Sequence, residues 1–296
     1  MRLKRGLLIS AMAAVSIVAL SACSGGNSGG AGKDDSASAS KFKAGTTMAK
    51  LHDAGKITIG TKFDQPLFGL VGPTGDPEGF DVEIGKMIAS ALDIPEDHIQ
   101  WKETVSKNRE PFIENGTDDI VVATYTINDD RKKVVSFAGP YYTAGQDLLV
   151  LKGNPAGLKG PEDLKASGKK VCTVSGSTSL ENIKQYVDDD QVLTTDEYSS
   201  CLEPIRNGQA VALTTDNVIL SGLAAQNKGE FELLNKPFTQ EPYGIGLKHD
   251  DDAFRNFIND VLEKSYKDGS WAAAWEKTAG QVLPTPKPPA VDRYSN

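Results

Sequence analysis

The sequence is short of cysteine and histidine, with three of each in 296 residues. His52, His98 and His249 are scattered and lack the close spacing of a metal site. There is no nucleophile elbow between a strand and a helix, no phosphate loop and no Cys-x-x-Cys. Their absence removes the common hydrolase, nucleotide-binding and thiol-redox readings, and no cofactor is expected. Two acidic runs, Asp188–Asp190 and Asp250–Asp252, lack the glycine and closing glutamate of a calcium loop and read as solvated surface. Positive charge is also scarce. The formal net charge of −8 becomes −11 once three N-terminal cations, Arg2, Lys4 and Arg5, are set aside. Such a chain is a poor partner for nucleic acid or an anionic membrane surface. The extended apolar stretch Gly6 to Leu20 falls short of the ~20 residues that a spanning helix needs.

Those three cations and that stretch make residues 1–22 an expected signal peptide. Leu20-Ser21-Ala22-Cys23, followed by Ser24-Gly25-Gly26, resembles the bacterial lipobox. The resemblance implies that Cys23 becomes the lipidated, palmitate-bearing first residue. Residues 23–40 then form a disordered tether of Gly, Ser, Ala and Asp. Cys172 and Cys201 remain. In an oxidising compartment they are expected to pair, closing a loop of about 30 residues worth ~3.5 kcal/mol. Two buried thiols are the alternative.

Beyond the tether, Thr47 to Ala54 reads as a short helix. Strand and helix patterns then alternate to the end of the chain. Lys56–Gly60 alternates as a strand, and Phe80, Ile84, Met87, Ile88 and Ala91 share one helical face. Repeated alternation argues for an α/β fold with mostly parallel sheets. The Pro-rich tail, 284–296, is expected to be disordered.

Asp119 to Tyr142 organises the rest. Ile120–Ala123 reads as a buried strand, and Thr124 and Thr126 follow at period 2 on one side. Asn128 is a good helix N-cap, followed by Asp129, Asp130 and Arg131 in a first turn. A guanidinium beside two hydroxyls at a strand-to-helix corner suits a planar carboxylate. Taken alone, the charge run also fits a solvated helix face.

The pattern T-x-T-x-N-x-x-R-K-x-x-V-x-F-x-x-P-Y-Y resembles the signature of the family 3 extracellular solute-binding proteins, the polar amino-acid receptors of ABC importers. The likeness runs from about Lys56 to about Gly280. It includes GFDVEIGKMIA (Gly79–Ala89), SGSTS (Ser175–Ser179), LTTDNVIL (Leu213–Leu220) and EPYGIGL (Glu241–Leu247). It implies a type II periplasmic-binding-protein-like fold: two α/β lobes, two crossings and a ligand cleft between them. Lobe one would hold 41–145 plus 243–283, and lobe two 146–242.

Site residues follow from the same resemblance. Arg131, with Thr124 and Thr126, would clamp an α-carboxylate. Asp216 would accept the α-ammonium from lobe two, and Ser177 and Thr178 would donate to the ligand. Taken alone, Asp216 could be an N-cap, and Thr178-Ser179-Leu180-Glu181 fits a capping box. Lys62, and Arg109 with Ser106 nearby, match the cationic end of acidic-amino-acid receptors, and Tyr198 falls where such receptors carry a polar contact.

The reading is a lipid-anchored, monomeric receptor on the outer face of the cell membrane. It binds glutamate, with aspartate second, and delivers it to an ABC permease. The rivals are an exported enzyme on the same scaffold, similar to the cyclohexadienyl dehydratases, or a ligand-sensing subunit. The enzyme needs a general acid, and no unassigned carboxylate can be placed for it.

Overall fold

The computed structural model describes residues 41–73 and 75–294. The expected signal peptide (1–22), the lipidated Cys23 and the tether (23–40) lie outside the described residues.

Two five-stranded sheets define two lobes. In spatial order, the first holds Ile99–Glu103, Ile57–Thr61, Ile120–Val121, Glu241–Lys248 and Val135–Ala144. The second holds Val192–Thr195, Val171–Val174, Ala212–Asp216, Gln146–Leu151 and Phe231–Leu233. The expectation of mostly parallel sheets needs correction. In each sheet the first three strands are parallel and the last two are antiparallel to their neighbours. The reason is the chain path. The strand that brings the chain into each lobe from the other, Glu241–Lys248 in lobe one and Gln146–Leu151 in lobe two, runs against the βαβ units, and the edge strand beyond it runs with them again.

The first crossing lies at Gly145, between the strands Val135–Ala144 and Gln146–Leu151. The return reaches Glu241, which pairs with Ala144, while Pro242 pairs with Thr143. Phe238 donates its N–H to Gln146 O at 2.9 Å, so the two crossings stay hydrogen-bonded side by side.

Helices cover the sheets as their apolar faces require. Phe80–Ala91 buries Phe80, Ile84 and Ile88. Asp252–Asp268 buries Phe254, Ile258 and Leu262, and the Asp251 carboxylate caps it by accepting from Phe254 N at 3.0 Å. An aromatic nest of Phe68, Phe80, Tyr141, Tyr243, Trp271 and Trp275 fills lobe one beneath the crossings. The apolar core continues into lobe two through Leu213, Val218 and Leu220. Cys172 and Cys201 form a disulfide, with Cα atoms 5.6 Å apart. It ties the strand Val171–Val174 to the turn Ser199–Cys201.

The tail departs from the expected disorder. Residues 284–294 form no helix or strand but run along lobe one. Asp292 N donates to Gly139 O at 2.8 Å, and Phe137 N donates to the Tyr294 hydroxyl at 2.7 Å. The Tyr294 ring receives Lys132 Nζ at 4.2 Å and the Arg255 guanidinium at 4.3 Å. A terminal aromatic ring held by two cations supplies what the Pro-rich composition does not reveal.

Candidate functional site

The lobes meet face to face, and the buried polar residues gather where they meet. From lobe one, Lys62 leaves the end of Ile57–Thr61 and donates to Ser106 Oγ at 2.9 Å. Arg109 opens the helix Arg109–Glu114, and its Nε donates to Ser106 O at 3.2 Å. Its Nη1 reaches the carbonyls of Ala123 and Thr124 at 3.2 and 3.4 Å. Both cations are only 3 % exposed. Among the described residues, neither forms a salt bridge with a carboxylate. Burial pulls the Lys62 ammonium down to about 7, and the neighbouring Arg109 charge pushes the same way.

Arg131 behaves differently. It lies in the short helix Asp129–Lys132, whose N-cap Asn128 accepts from Arg131 N at 2.9 Å. Its Nε pairs with Glu110 at 3.1 Å, Nη1 donates to Thr126 O at 2.7 Å, and Nη2 to Gly176 O at 3.1 Å. Three of five guanidinium N–H groups are thus used, leaving one on each terminal nitrogen for a planar anion. Burial lowers its pKa to about 10, followed by repulsion from Arg109.

Thr124 takes a left-handed conformation, φ 44°, unusual for a threonine. Two bonds hold it there. Its N–H donates to Asp81 Oδ2 at 2.7 Å, and its hydroxyl donates to Gln65 Oε1 at 3.0 Å. Asp81 also accepts from Tyr141 OH at 2.6 Å, and burial raises its pKa to about 7. Sequence reading missed Asp81, Gln65 and Glu241. Asp81 sits one residue inside a helix whose apolar face was counted without it. A carboxylate in the first turn of a helix otherwise buried nearly all round was the available signal.

From lobe two, Asp216 ends the strand Ala212–Asp216. It occupies the N-cap position of Asn217–Gln226 but makes no side-chain capping bond. Its Oδ2 accepts from Tyr243 OH at 2.6 Å, while buried Oδ1 has no hydrogen-bond donor among the described residues. Burial, then the nearby Glu241, raises its pKa to about 7. Tyr198 is buried beside it, among the hydroxyls of Ser177, Ser179 and Thr215.

Ser177 and Thr178 make hydrogen bonds inside the protein. Ser177 Oγ donates to Val174 O at 2.7 Å and accepts from Leu180 N at 3.0 Å, so it is a helix cap. Thr178 Oγ1 donates to Glu241 Oε2 at 2.8 Å and lies 3.4 Å from Thr126 Oγ1 of lobe one. Lys107–Asp196 at 2.7 Å and Ser199 N to Asp64 at 3.2 Å also join the lobes. Among the described residues, no three His, Cys, Asp or Glu side chains could hold a metal ion, and no helix is long and apolar enough to cross a membrane.

Two mixed α/β lobes, paired crossings and a buried polar seam of opposed charges define a two-lobed binding protein. The chain belongs to the bacterial extracellular solute-binding proteins, family 3, whose model matches residues 57–281. It is 40% identical to the ABC transporter glutamine-binding protein GlnH of Bacillus subtilis, over 93% of this chain and 97% of that protein. It is 39% identical to the glutamate-binding protein GluB of Corynebacterium efficiens, over 77% of this chain and 80% of that protein. An ancestral arginine-binding protein bound to glutamine superposes with a TM-score of 0.70 at 33% identity, covering 76% of this chain and 97% of that chain.

Proposed function

We propose that this protein is the extracytoplasmic receptor of an ABC amino-acid importer, that glutamate is its preferred ligand and that aspartate is second. The observation that carries the acidic ligand is the pair Lys62 and Arg109. Both are buried, both bond to Ser106, and neither has a carboxylate within 4.0 Å among the described residues. Two adjacent buried cations without a counter-ion are costly unless an anion joins them. Of the two relatives described above, one is named for glutamine and the other for glutamate, so these two cations bear the choice.

In this reading Arg131 takes the α-carboxylate through its two remaining N–H groups. Asp216 Oδ1 takes the α-ammonium. Lys62 and Arg109 take the distal carboxylate. Cation and anion then come from opposite lobes, and the ligand bridges them. Closure follows from contacts that exist only when the lobes meet. No bond is made or broken, so the protein is a carrier rather than an enzyme. We further propose that the mature chain is a monomer, held at the membrane by lipid on Cys23 and met there by its permease.

Calorimetric titration of the ligand-free protein with glutamate, aspartate, glutamine and arginine tests the assignment. Glutamate is expected to bind tightest, with glutamine roughly 30-fold to 1,000-fold weaker. Equal affinity for glutamine and glutamate overturns it. Recovery of a chemically altered ligand by mass spectrometry would instead favour the enzyme.

A further inference from the structure

Arg109 and Arg131 share an aromatic ring. The Arg109 guanidinium carbon lies 4.2 Å from the Tyr125 ring centroid, and that of Arg131 lies 5.0 Å from it. The ring is fully buried. Phe137 meets it edge-on at 4.7 Å. On another side stands Gly246, where a Cβ would come within 2.7 Å of the Tyr125 ring. The ring is therefore boxed in and cannot turn away from the two cations. Its buried hydroxyl has no hydrogen-bond partner among the described residues, and Glu110 pairs with Arg131.

Two guanidinium groups this close repel each other. Glu110 pairs with Arg131 alone. The acceptors that Arg109 finds on lobe one, Ser106, Ala123 and Thr124, are backbone carbonyls. Gly176 O accepts from both guanidinium groups but belongs to lobe two, so it serves them only when the lobes meet. In lobe one the shared element is the π-face of Tyr125, which attracts cations most strongly in a dry site. Tyr125 stands between Thr124 and Thr126, just past the strand Ile120–Val121, which is shorter than the expected Ile120–Ala123, and after Thr124 has turned into the left-handed region at φ 44°.

We propose that Tyr125 is a positioning residue, an aromatic platform that sets the spacing and tilt of Arg109 and Arg131 before the ligand arrives. This rests on the reading of those arginines as carboxylate receptors.

The test compares Tyr125→Phe, Tyr125→Leu and Val135→Ala by calorimetry with L-glutamate and L-glutamine, and by thermal unfolding. Tyr125→Phe keeps the ring and is expected to bind within about threefold of wild type. Tyr125→Leu keeps apolar bulk but no π-face, and is expected to weaken the amino acid that wild type binds by roughly tenfold to a hundredfold. Val135 lies in the same apolar cluster. Its truncation is expected to lower the unfolding midpoint while leaving affinity within about threefold. The proposal is overturned if Tyr125→Leu binds within about threefold of wild type, if Tyr125→Phe falls as far as Tyr125→Leu, or if Val135→Ala loses as much affinity as Tyr125→Leu. Arg131→Ala, run alongside, separates the two levels. If it binds normally, the arginine assignment itself is wrong. If it loses binding while Tyr125→Leu does not, only the platform fails.

Discussion

Tyr243 donates a 2.6 Å hydrogen bond to Oδ2 of Asp216, and the other oxygen of that carboxylate, equally buried, has no donor among the described residues. Tyr243 belongs to a strand of lobe one, and Asp216 ends a strand of lobe two. The tyrosine thus aims the carboxylate from across the seam and leaves one oxygen for a cation. Asp216→Ala should cost ~3–5 kcal/mol of binding, the usual penalty for removing one partner of a buried pair, or more than about 150-fold in Kd. Circular dichroism should stay unchanged. Calorimetric affinity within a few-fold of wild type would remove Asp216 from the site.

Lys62 and Asp216 both titrate at about 7, with opposite consequences. Asp216 must be ionised to hold an ammonium, so its share of affinity declines as pH falls below about 7. Lys62 must be protonated to hold a carboxylate, so its share declines as pH rises above about 7. Glutamate affinity measured from about pH 5.5 to about pH 8.5 should therefore peak near neutrality. Lys62→Gln should lose at least about tenfold in glutamate affinity and lose the alkaline limb, while keeping the acid limb. Arg109→Ala should also weaken glutamate at least about tenfold, and more than it weakens glutamine. An unchanged glutamate-to-glutamine ratio in both variants would make these cations structural.

Gly176 has φ +75°, and a Cβ there would lie 2.6 Å from the Cα of Lys107 on the opposite lobe. Two effects separate cleanly. The backbone strain of an alanine is present in every state and lowers stability by about 1–2 kcal/mol. The clash exists only when the lobes meet, so it lowers affinity. Gly176→Ala should fold, bind at least about tenfold more weakly, and keep an extended scattering profile at ligand saturation. A compact profile identical to that of saturated wild type would show that the glycine is dispensable for closure.

The disulfide joins residues 29 apart in sequence. Replacing both cysteines by serine should lower the unfolding free energy by about 3.5 kcal/mol in urea, chiefly by freeing the unfolded chain. Thiol labelling of unfolded, unreduced, leaderless protein should find no free thiol. A loss below about 1 kcal/mol would mean that the bridge adds little.

Truncation after Leu283 should destabilise lobe one, because it removes the Tyr294 ring from Lys132 and Arg255 and the Arg293 pairs with Asp260 and Glu263. Tyr294→Ala should reproduce most of the loss, about 1–3 kcal/mol in urea unfolding. A truncated chain as stable as the full one would return the tail to the role of a loose end.

The grouping of the proposed lobe-one receptor residues was legible because it is local. Thr124, Thr126, Asn128 and Arg131 lie within eight residues, and period 2 followed by a cap signal places them together. Asp216 was legible as the end of an apolar strand. What stayed hidden depends on distant partners. Asp81 and Thr124 stand 43 residues apart, and Asp81 and Tyr141 stand 60 apart. No window of sequence joins them. Glu241 was quoted only as part of a motif, and its contacts with Thr178, Asn182 and Thr239 arise because it stands at the return crossing into lobe one, still against lobe two. Tyr125 was hidden because the two threonines flanking it drew the reading, and its contacts with Arg109 and Arg131 depend on the fold. The tail misled through composition. Proline marks chain that forms no regular ladder, but it says nothing about a tyrosine ten residues further on.

The paired crossings have a mechanical meaning. From Tyr142 and Tyr243 to Gln146 and Phe238, two strands run bonded side by side between the lobes. At Gly145 a Cβ would meet Thr239 O at 2.8 Å, so the ribbon is narrow there. A single strand would let one lobe twist, slide and tilt against the other. Two bonded strands resist twisting and sliding and leave one bend. Lobe two then swings along a single arc with a single end-point. Each candidate ligand is judged at that end-point by the same walls, because the walls cannot approach from another angle. A molecule one methylene too short cannot recruit a compensating tilt. The ribbon thereby turns a small difference in ligand length into a difference in whether the arc is completed.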